Sequence, residues 1–516
     1  MLRIERVPDH CEILTESTPH DATLRFAVAE GELRVYLRAP TSEVRFIKLR
    51  WNEKTREDVR VLGDRWARGG NLGFTGIVAD LAMPAFFLAK YRNGYLACGT
   101  EVRGAALVAW EYDCDGITAW LDVRSGGLGV RLGERELHAA TLLFENYPQE
   151  RDSFDVMQDF ACKMCKDPLL PPAPVYGGND WYCAYGQSSR ELILSCARYQ
   201  ATLAEGLENR PFMVIDDGWQ INMTCGPWYP NEKFGDMKAV ADEIRSLGVR
   251  PGIWIRLLSG EFDVDPAWLI RREGTKPALD PSHPEVLAYV KETVQRLTEW
   301  GFELIKHDYS GFDIFGTYPF YANCSMAKDG WSFYDRTKTT AEVILGFYRA
   351  ILEGAGGRAL IMGCNTVSQL AAGLVHIERS GCDTSGKNFS VTRKNGVNTL
   401  AFLLPLDGRF FRLDADCIGV IPGQIPWREN REWARLLSYS GTPTFISCAE
   451  GDLDPEALCD MREFFARASV ARPPLRPLDW EYNSIPAEYL AGDVRLSMHW
   501  YSEGGTEHRE RFPFLG

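Results

Sequence analysis

Several features that define other classes of protein are missing from this chain of 516 residues. No apolar run reaches the length of a membrane-spanning helix, and the N-terminal residues lack the apolar core of a secretion signal. No basic stretch stands out against a net charge of −14, which argues against nucleic acid and anionic membranes as partners. These absences predict a cytoplasmic protein with no membrane partner and no nucleic-acid partner.

Cysteine and histidine are also poorly arranged for metal binding. The 14 cysteines are scattered singly apart from Cys162 and Cys165, and this lone Cys-x-x-Cys has no second pair to complete a zinc site. Only eight histidines are present. We therefore expect free thiols in a reducing compartment, with no metal and no cofactor.

The composition is otherwise that of a folded protein with more than one domain. Apolar residues make up 45% of the chain and charged residues 25%. The length exceeds that of one ordinary domain and allows a large core. Aromatic residues reach 12%, with 15 Trp, which is typical of sugar-binding clefts but equally of large cores.

The first 166 residues have the pattern of a β-rich domain. Alternating runs such as Leu24–Val28 and Val44–Trp51 are separated by turn residues, with little helical periodicity. We therefore predict an N-terminal β-sandwich over residues 1–166. Its glycine-rich loop Asp64–Gly70 holds Trp66, which could form a wall of a neighbouring site or pack as an ordinary core residue.

A proline-rich connector, Asp167–Pro174, leads into strand–loop–helix repeats. The repeats predict a (β/α)8 TIM barrel over residues 167–470, an α/β fold, with a doubly wound sheet as the alternative. The eight candidate strands are Val175–Gly177, Phe212–Ile215, Val249–Ile255, Glu303–Lys306, Ala359–Met362, His376–Arg379, Phe411–Leu413 and Thr444–Ile446. Residues 471–516 predict a short C-terminal β segment, of about two strands, that packs on the barrel or the N-terminal domain.

The fourth predicted strand carries the most informative charges. Alternation along a strand places Lys306 and Asp308 on one face and His307 on the other. We expect Lys306 to keep Asp308 ionised at neutral pH. An ionised carboxylate at a barrel mouth can act as a nucleophile, a general base or a metal ligand. His307 and His376 are predicted to be structural.

Polar and aromatic residues also follow the other predicted strands. They are Asp180, Trp181, Asp216, Asp217, Trp219, Trp254, Arg256, Cys364, Asn365, Arg379, Asp383, Asp414 and Asp416. The carboxyl ends of barrel strands meet at one mouth, so we expect these side chains to lie together. Carboxylates accept hydrogen bonds from hydroxyls and Trp rings stack on a pyranose, so this mouth suits a sugar.

Glycoside hydrolysis needs two carboxyl groups in different protonation states. Asp308 should ionise easily, and Asp383 lies in a looser turn suited to reaching over a scissile bond. The adjacent Asp216 and Asp217 cannot both face inward on a regular strand, which fits the binding of two neighbouring hydroxyls. A single acid at a strand end is about equally often a helix cap, and a structural role for Asp416 is as well supported as a functional one.

Five short motifs follow one another along the predicted barrel. They are Ile215-Asp-Asp-Gly-Trp-Gln220, Lys233-Phe234 before Met237-Lys238, Gly248-Val-Arg-Pro-Gly-Ile-Trp254, Leu279-Asp-Pro-Ser-His-Pro-Glu285 and Ile305-Lys-His-Asp308. In this order and spacing they resemble the α-galactosidase clan of retaining glycoside hydrolases, nearest to glycoside hydrolase family 36, with features of family 27. The similarity runs from about Tyr176 to Cys448, and a β-rich N-terminal domain is typical of family 36.

The resemblance implies two catalytic residues. Asp308 would be the nucleophile that forms a covalent glycosyl-enzyme, and Asp383, four residues after Arg379, would be the general acid/base. We predict that their carboxyl groups lie roughly 5–6 Å apart, the spacing expected for retention of configuration.

The resemblance also implies how an α-linked oligosaccharide or glycoside would be bound. Asp216 and Asp217 would hold the 4- and 6-hydroxyls, which favours galactose. The other implied substrate-binding residues are Lys306 and Arg379 on ring hydroxyls, Trp181 and Trp219 as pocket walls, and Trp254, Cys364 and Asn365.

The sequence departs from the family pattern in two loops. Tyr309-Ser310 follows the nucleophile position where family 36 has a residue and then Asn. Cys364-Asn365-Thr366-Val367 replaces a Cys-Ser and glycine run in the loop that helps to read the 2-position. The 2-substituent, hydroxyl or N-acetyl, therefore stays open. The N-terminal domain is shorter than usual in the family, and a homo-oligomer is possible.

Four functions are compatible with these residues. A metal-free retaining α-galactosidase or a close relative such as an α-N-acetylgalactosaminidase is favoured. A transglycosylase on the same barrel is the second, with a sugar hydroxyl in place of water. A non-catalytic carbohydrate-binding protein is the third. A metal-dependent hydrolase is the fourth and weakest, because the histidines are poorly placed.

Overall fold

The computed structural model describes residues 7–52, 59–64, 72–76, 84–317 and 328–501. Trp66, singled out above as a possible wall of the site, lies outside the described residues. Within the described residues, no helix is both long enough and apolar enough to cross a membrane.

The N-terminal part is one antiparallel sheet of nine strands. The strands are β1 (His10–Thr15), β2 (Thr23–Ala29), β3 (Glu32–Asn52), β4 (Arg60–Gly63), β5 (Phe87–Tyr91), β6 (Gly94–Thr100), β7 (Leu107–Asp113), β8 (Gly116–Asp122) and β9 (Val130–Pro148). They run in the order β4-β5-β6-β9-β3-β8-β7, with β1 and β2 both paired to β3.

This sheet folds over on itself around a core of its own. Strands β5 and β7 lie near opposite ends of the strand order, yet Phe87 of β5 stacks on Tyr112 of β7 with ring centroids 5.5 Å apart. The long strands β3 and β9 make this possible, because each pairs with different neighbours along its two halves. The predicted β-sandwich is thus a single folded sheet and not two separate ones.

The rest of the chain alternates strands with helices. The strands are β10 (Tyr176–Asn179), β11 (Phe212–Ile215), β12 (Gln220–Asn222), β13 (Cys225–Pro230), β14 (Arg250–Ile255), β15 (Leu304–His307), β16 (Leu360–Gly363), β17 (Ile377–Arg379), β18 (Arg412–Asp414), β19 (Cys417–Gly419) and β20 (Thr444–Ser447). All except the hairpin β12–β13 form a curled parallel sheet in the order β18-β17-β16-β15-β14-β11-β10-β20-β19.

Each of the eight predicted strands is present, with ends within two residues of those predicted. The seventh corresponds to β18, and a further strand, β19, follows it after only Ala415 and Asp416. Although they are neighbours in the chain, they lie at the two ends of the hydrogen-bonded strand order. β18 pairs with β17, and β19 pairs with β20.

Twelve helices are described. They are α1 (Ser153–Met164), α2 (Trp181–Ala184), α3 (Arg190–Leu203), α4 (Met237–Ser246), α5 (Pro284–Glu299), α6 (Ser310–Phe315), α7 (Thr340–Ala355), α8 (Ser368–Ala371), α9 (Phe389–Thr392), α10 (Thr399–Leu403), α11 (Trp427–Ser440) and α12 (Pro455–Ala468). A π-helical segment, Arg393–Asn398, joins α9 to α10.

Helix α5 illustrates why these segments are helical. Val286, Val290, Val294 and Leu297 recur at the helical period and are all buried. The helix begins after His283, whose ring accepts a hydrogen bond from the backbone N–H of Glu285. Pro284 at the first helical position suits that end, because it has no N–H to leave unpaired.

The two faces of the parallel sheet belong to different cores. On the inner face Phe212, Val214, Leu304 and Ile377 join one small apolar cluster. On the other face Met213, Ile215, Ile305 and Ile361 pack with the helices in a much larger cluster. Because side chains alternate between the two faces, residues of the inner face continue to the carboxyl ends of the strands, where the polar residues begin.

The larger cluster extends into both flanking regions. Leu88 of β5, Phe160 of α1 and Leu400 of α10 all belong to it. The C-terminal strands β21 (Leu475–Pro477), β22 (Glu488–Ala491) and β23 (Val494–Ser497) form a small antiparallel sheet, one strand more than predicted. Before β22, Trp480 packs edge-on against Phe154 of α1 at 5.9 Å and lies 5.7 Å from Phe402 of α10.

Candidate active site

The carboxyl ends of the parallel strands carry a concentration of strained backbone. Six non-glycine residues with left-handed φ lie in the segments that directly follow these strands: Tyr185, Thr224, Tyr309, Asn365, Ser385 and Asp416. Such conformations cost of order 1–3 kcal/mol each and persist where the surrounding structure holds them. They mark this end of the sheet as the candidate site, as the strand-end residues predicted.

Asp308 is held by donors from two neighbouring strands. The side-chain amide of Asn365, after β16, donates to its Oδ1 at 2.5 Å. The indole of Trp254, in β14, lies 3.3 Å from its Oδ2. The backbone N–H of Tyr309 also reaches Oδ1, at 2.6 Å. The carboxylate is therefore fixed in orientation at the mouth.

Lys306 pairs with a different carboxylate from the one predicted. Its Nζ lies 2.7 Å from Oδ2 of Asp216, and both side chains are buried. Burial alone would lower the pKa of Lys306, but the Asp216 carboxylate, Cys364 and Asp308 together outweigh burial and raise that pKa. The expectation that Lys306 serves mainly to ionise Asp308 is thus corrected: β11 and β15 both flank β14, and the lysine reaches across to Asp216. Asp308 and Arg379 remain within its electrostatic reach.

Asp216 and Asp217 straddle the end of β11 as expected. Asp216 also accepts a hydrogen bond from the amide of Asn179 at 2.7 Å, so its Oδ2 has two donors. Asp217 accepts from the side chain of Gln220 at 2.6 Å and from the backbone of Thr224 at 2.9 Å, both on Oδ1. Its buried Oδ2 has no hydrogen-bond partner among the described residues. Burial raises the pKa of Asp217, because the charged form is desolvated.

The glycine after this pair permits a close backbone crossing. Gly218 has φ of 119°, and a Cβ on it would lie 2.6 Å from the carbonyl oxygen of Gly186. The loop after β11 therefore crosses the end of the segment that follows α2. The backbone next to Asp217 is thus packed against the segment that follows α2.

Asp180 supports the same pair from β10. Its Oδ1 accepts a hydrogen bond from the backbone N–H of Asp216 at 2.7 Å. Complete burial raises the pKa of Asp180 to about 7. It stood among the predicted strand-end acids, but only the structure shows that it supports Asp216.

Arg379 is the centre of a second group of carboxylates. Its guanidinium lies 2.6 Å from Asp416, 3.2 Å from Asp414 and 3.1 Å from Asp383. Asp416 is held further by the phenol of Tyr182 and by the backbone N–H of Thr384 at 2.7 Å. Burial would raise the pKa of Asp416, but the nearby cations Arg379 and Lys306 outweigh it and lower that pKa.

Asp383 differs from every other acid of this group. Its side chain is 51% exposed, whereas those of Asp414 and Asp416 are 4% and 3% exposed. The backbone carbonyl of Asp383 accepts a hydrogen bond from Asn395 at 2.9 Å, which anchors the loop. The carboxyl group is thus accessible to solvent while Arg379 restrains it.

The predicted aromatic residues have different environments. Trp181 is half-buried over the inner-face cluster, where a ligand could contact it. Trp254 is buried and orients Asp308. Trp219 is fully buried: its indole donates to the backbone of Trp254 at 2.9 Å and its ring packs against Trp228 and Trp300. Trp219 is therefore placed in the core behind the mouth and not on the predicted pocket wall.

The strand-end Cys364 and Asn365 are both buried. Asn365 acts on Asp308, as described, while Cys364 lies within electrostatic reach of Lys306 and Arg379. His307 faces away from the mouth and bonds to Ser310 at 2.9 Å, and His376 accepts from the backbone of Ile361. Among the described residues, no group of three or more His, Cys, Asp or Glu is arranged to hold a metal ion.

Two residues that bind an acid of the Arg379 group were not predicted from the sequence. Tyr182 and Thr384 hold Asp416, but neither has a side-chain type that points to chemistry on its own. Asp414 was predicted to lie at a strand end, but no role was predicted for it. The spacing Asp414-x-Asp416 was a signal, because two acids that are both buried at one strand end are stabilised by a cation nearby.

No protein-family model matches the chain, and no curated protein matches it either. Solved structures do match. The α-galactosidase TtGalA from Thermus thermophilus, solved with p-nitrophenyl α-D-galactopyranoside, is 17% identical with a TM-score of 0.64, and the match covers 95% of this chain and 99% of that one.

Two further matches are α-galactosidases from other bacteria. The family 36 enzyme AgaA from Geobacillus stearothermophilus, solved with raffinose, is 14% identical with a TM-score of 0.62, covering 93% of this chain and 76% of that one. The enzyme from Lactobacillus brevis is 14% identical with a TM-score of 0.56, covering 89% and 70%. The chain thus has the fold of family 36 α-galactosidases, as the sequence motifs implied.

Proposed function

We propose that this chain is a retaining α-glycoside hydrolase, most simply an α-galactosidase. The observation that supports the proposal is the contrast between two acids in the segments that follow β15 and β17. Asp308 is fixed by neutral donors on both oxygens, whereas Asp383 is half-exposed and restrained by Arg379. A nucleophile needs a fixed direction of attack, and an acid/base needs access to the leaving group and to water.

In the first step Asp308 attacks the anomeric carbon and the glycosidic C–O bond breaks. Asp383 gives its proton to the departing oxygen, and a covalent glycosyl-enzyme remains. In the second step Asp383 takes a proton from water, whose oxygen attacks the same carbon and releases Asp308. Asn365 and Trp254 keep Asp308 aligned through both steps.

The sugar would be recognised on the Asp217 side of the mouth. Oδ2 of Asp217, which has no hydrogen-bond partner within the described part of the chain, offers an acceptor to a hydroxyl group, and such a contact would satisfy a buried polar atom. Asp216, already neutralised by Lys306, offers a neighbouring acceptor. Two adjacent acceptors suit the 4- and 6-hydroxyls of galactose. The similar structures with raffinose and stachyose support an α-linked saccharide as substrate.

The architecture proposed with this function is a closed (β/α)8 barrel. β18 and β19 would be two halves of one strand that joins β17 to β20, and this would bring Arg379, Asp414 and Asp416 to the same mouth as Asp308. The barrel would span residues 167–470, with 1–166 and 471–516 as flanking units. The proposal includes a reducing, cytoplasmic setting, in which buried thiols such as those of Cys98 and Cys448 stay reduced.

The test is a panel of aryl glycosides that differ at the 2- and 4-positions, with the product anomer followed by NMR. We expect turnover of the α-galactoside and release of the α-anomer first. Faster turnover of the 2-acetamido analogue would reassign the sugar, and β-anomer would exclude retention. Sugar binding without turnover of any member would refute hydrolysis.

A further inference from the structure

Arg256 directly follows strand β14, at the carboxyl end of the parallel sheet, and the proposed hydrolysis gives it no role. The residue is only 1% exposed. Its Nε donates to Oδ2 of Asp313 in α6 at 3.0 Å, and its Nη2 donates to Oδ1 of the same carboxylate at 2.6 Å. This pairing explains how a cation is tolerated in a buried place, but it uses only one side of the guanidinium.

The remaining nitrogen of Arg256 reaches the hairpin β12–β13. Its Nη1 donates to the backbone carbonyl oxygen of Thr224 at 3.2 Å and also lies 3.4 Å from Oε2 of Glu261. Thr224 lies at the tip of the hairpin with φ of 61°, a left-handed conformation that persists only where neighbouring groups hold it. The hydrogen bond from Arg256 is one such restraint, because it fixes the carbonyl group of this residue.

The same tip residue also donates to the proposed sugar-binding acid. The backbone N–H of Thr224 donates to Oδ1 of Asp217 at 2.9 Å, and the side chain of Gln220 donates to the same oxygen at 2.6 Å. Both donors are on Oδ1, so Oδ2 is the oxygen without a partner among the described residues. Arg256 and Asp217 are therefore connected through one residue, by the C=O and the N–H of Thr224.

A further contact joins Arg256 to the segment that carries the proposed nucleophile. Its guanidinium carbon lies 4.6 Å from the centroid of the Tyr309 ring. Tyr309 directly follows Asp308 and also has φ of 61°. Arg256 thus contacts two of the six strained residues at this end of the sheet, one bonded to the sugar-binding acid and one next to the nucleophile.

We propose that Arg256 is a positioning residue that sets the sugar-binding geometry of Asp217 through Thr224. This inference rests on the proposed function. While Arg256 holds the tip, Oδ1 of Asp217 stays occupied and Oδ2 stays available to a hydroxyl group of the substrate. Such a contact is made in the bound substrate and in the transition state alike, so its loss raises KM and leaves kcat nearly unchanged.

The decisive variant is Arg256→Lys. It keeps a cation beside Asp313, so the protein should fold, but a compact ammonium group cannot reproduce the planar fork that bonds Asp313 and Thr224 together. We expect KM for p-nitrophenyl α-D-galactopyranoside to rise about tenfold, the value of one hydrogen bond, with kcat changed less than about twofold.

Arg250→Lys is the matched control. Arg250 lies at the opposite end of β14, pairs with the carboxylate of Glu303 at 2.8 Å and lies 4.2 Å from the ring centroid of Phe212. It therefore has the same kinds of partner as Arg256 but is remote from the hairpin. This variant should keep the KM and the kcat of the parent.

A double-mutant cycle separates positioning from general support of the fold. If Arg256 acts through Asp217, Arg256→Lys should lower kcat/KM little further once Asp217→Asn is present. Additive losses, or a loss confined to kcat, overturn the inference. If Arg256→Lys does not fold, Arg256→Met combined with Asp313→Asn removes both buried charges and takes its place in the same cycle.

Hydrogen exchange tests the hairpin without any turnover. The N–H of Thr224 is protected by its bond to Asp217, so the tip peptide should exchange faster in Arg256→Lys than in the parent or in Arg250→Lys. Unchanged exchange overturns the positioning role. If the parent hydrolyses no glycoside, the proposed function fails, while the exchange rates still decide whether Arg256 holds the tip.

Discussion

The Nζ atom of Lys306 lies 2.7 Å from Oδ2 of Asp216, and the strands that carry them are separated by a third strand, β14. Both side chains are buried, so the two charges neutralise each other where water is scarce. The cation of the Lys-x-Asp motif thus neutralises Asp216, on the side where we propose that the sugar binds, while neutral donors orient Asp308.

Removing one member of this ion pair should be more damaging than removing both. Lys306→Met leaves Asp216 as a buried carboxylate without its cation, and we expect a loss of about 3–5 kcal/mol in the free energy of unfolding. Adding Asp216→Asn should recover most of that loss. Urea denaturation of the two single variants and the double variant gives the coupling energy. Additive effects would contradict the pairing.

Asp308→Asn should stop the turnover of an aryl α-galactoside. The amide cannot form the glycosyl-enzyme, so we expect a loss of roughly 10⁴-fold or more in kcat. Azide, a small external nucleophile, should restore part of the rate. Asp242→Asn on the exposed face of α4 is the control and should keep full activity. Full activity of the Asp308 variant would end the assignment.

Asp217→Asn should weaken catalysis with little effect on stability. Oδ1 can still accept from Gln220 and Thr224, and the replaced Oδ2 has no partner to lose within the described part of the chain. We expect kcat/KM to fall about 10–100-fold, the value of one charge-assisted hydrogen bond to a hydroxyl. Steady-state kinetics measure the loss in kcat/KM, and a urea titration of the same preparation measures the stability. A large loss of stability would show that the residue is structural.

Asp64 should make stability depend on pH. Burial raises its pKa from 3.8 to about 8, and the neighbouring Glu378 adds to the shift. The folded state thus holds this proton more tightly than the unfolded state, so the free energy of unfolding falls as pH rises from about 4 to about 8. Asp64→Asn removes the ionisation while keeping an acceptor for the backbone of Ala85.

The variant should match the parent near pH 4 and exceed its stability above pH 8. Urea midpoints measured across this range give the difference directly. The exposed Asp115→Asn is the control and should follow the parent curve. A difference that shrinks with rising pH would have the wrong sign for a carboxyl group that is neutral in the folded state.

Local patterns were enough to predict the strands and the mouth. The eight apolar runs that end in charged residues correspond to the observed parallel strands, and alternation placed His307 away from the mouth. These features depend on residues that are close in sequence. The single folded N-terminal sheet and the third C-terminal strand depend on long-range pairing and were not predicted.

The sequence alone did not predict which side chains pair with each other inside the mouth, and the reason is physical. Lys306 can reach either neighbouring carboxylate, and the curvature of the sheet decides for Asp216. Asn365 reaches Asp308 because of its left-handed backbone, and Trp219 turns into the core after Gly218. Such loop conformations depend on surroundings that no short motif encodes.

The larger apolar cluster runs without a break from strand β5 through helix α1 to the helices around the parallel sheet. Heat should therefore melt the N-terminal sheet and the region around the parallel strands together, in one calorimetric peak. A gene fragment that starts at the proline connector would lack Phe86 and Phe154, which pack on Phe410 and Trp480. It would therefore expose apolar surface to water, and its product should aggregate. The minimal catalytic unit of this protein is accordingly close to the whole chain.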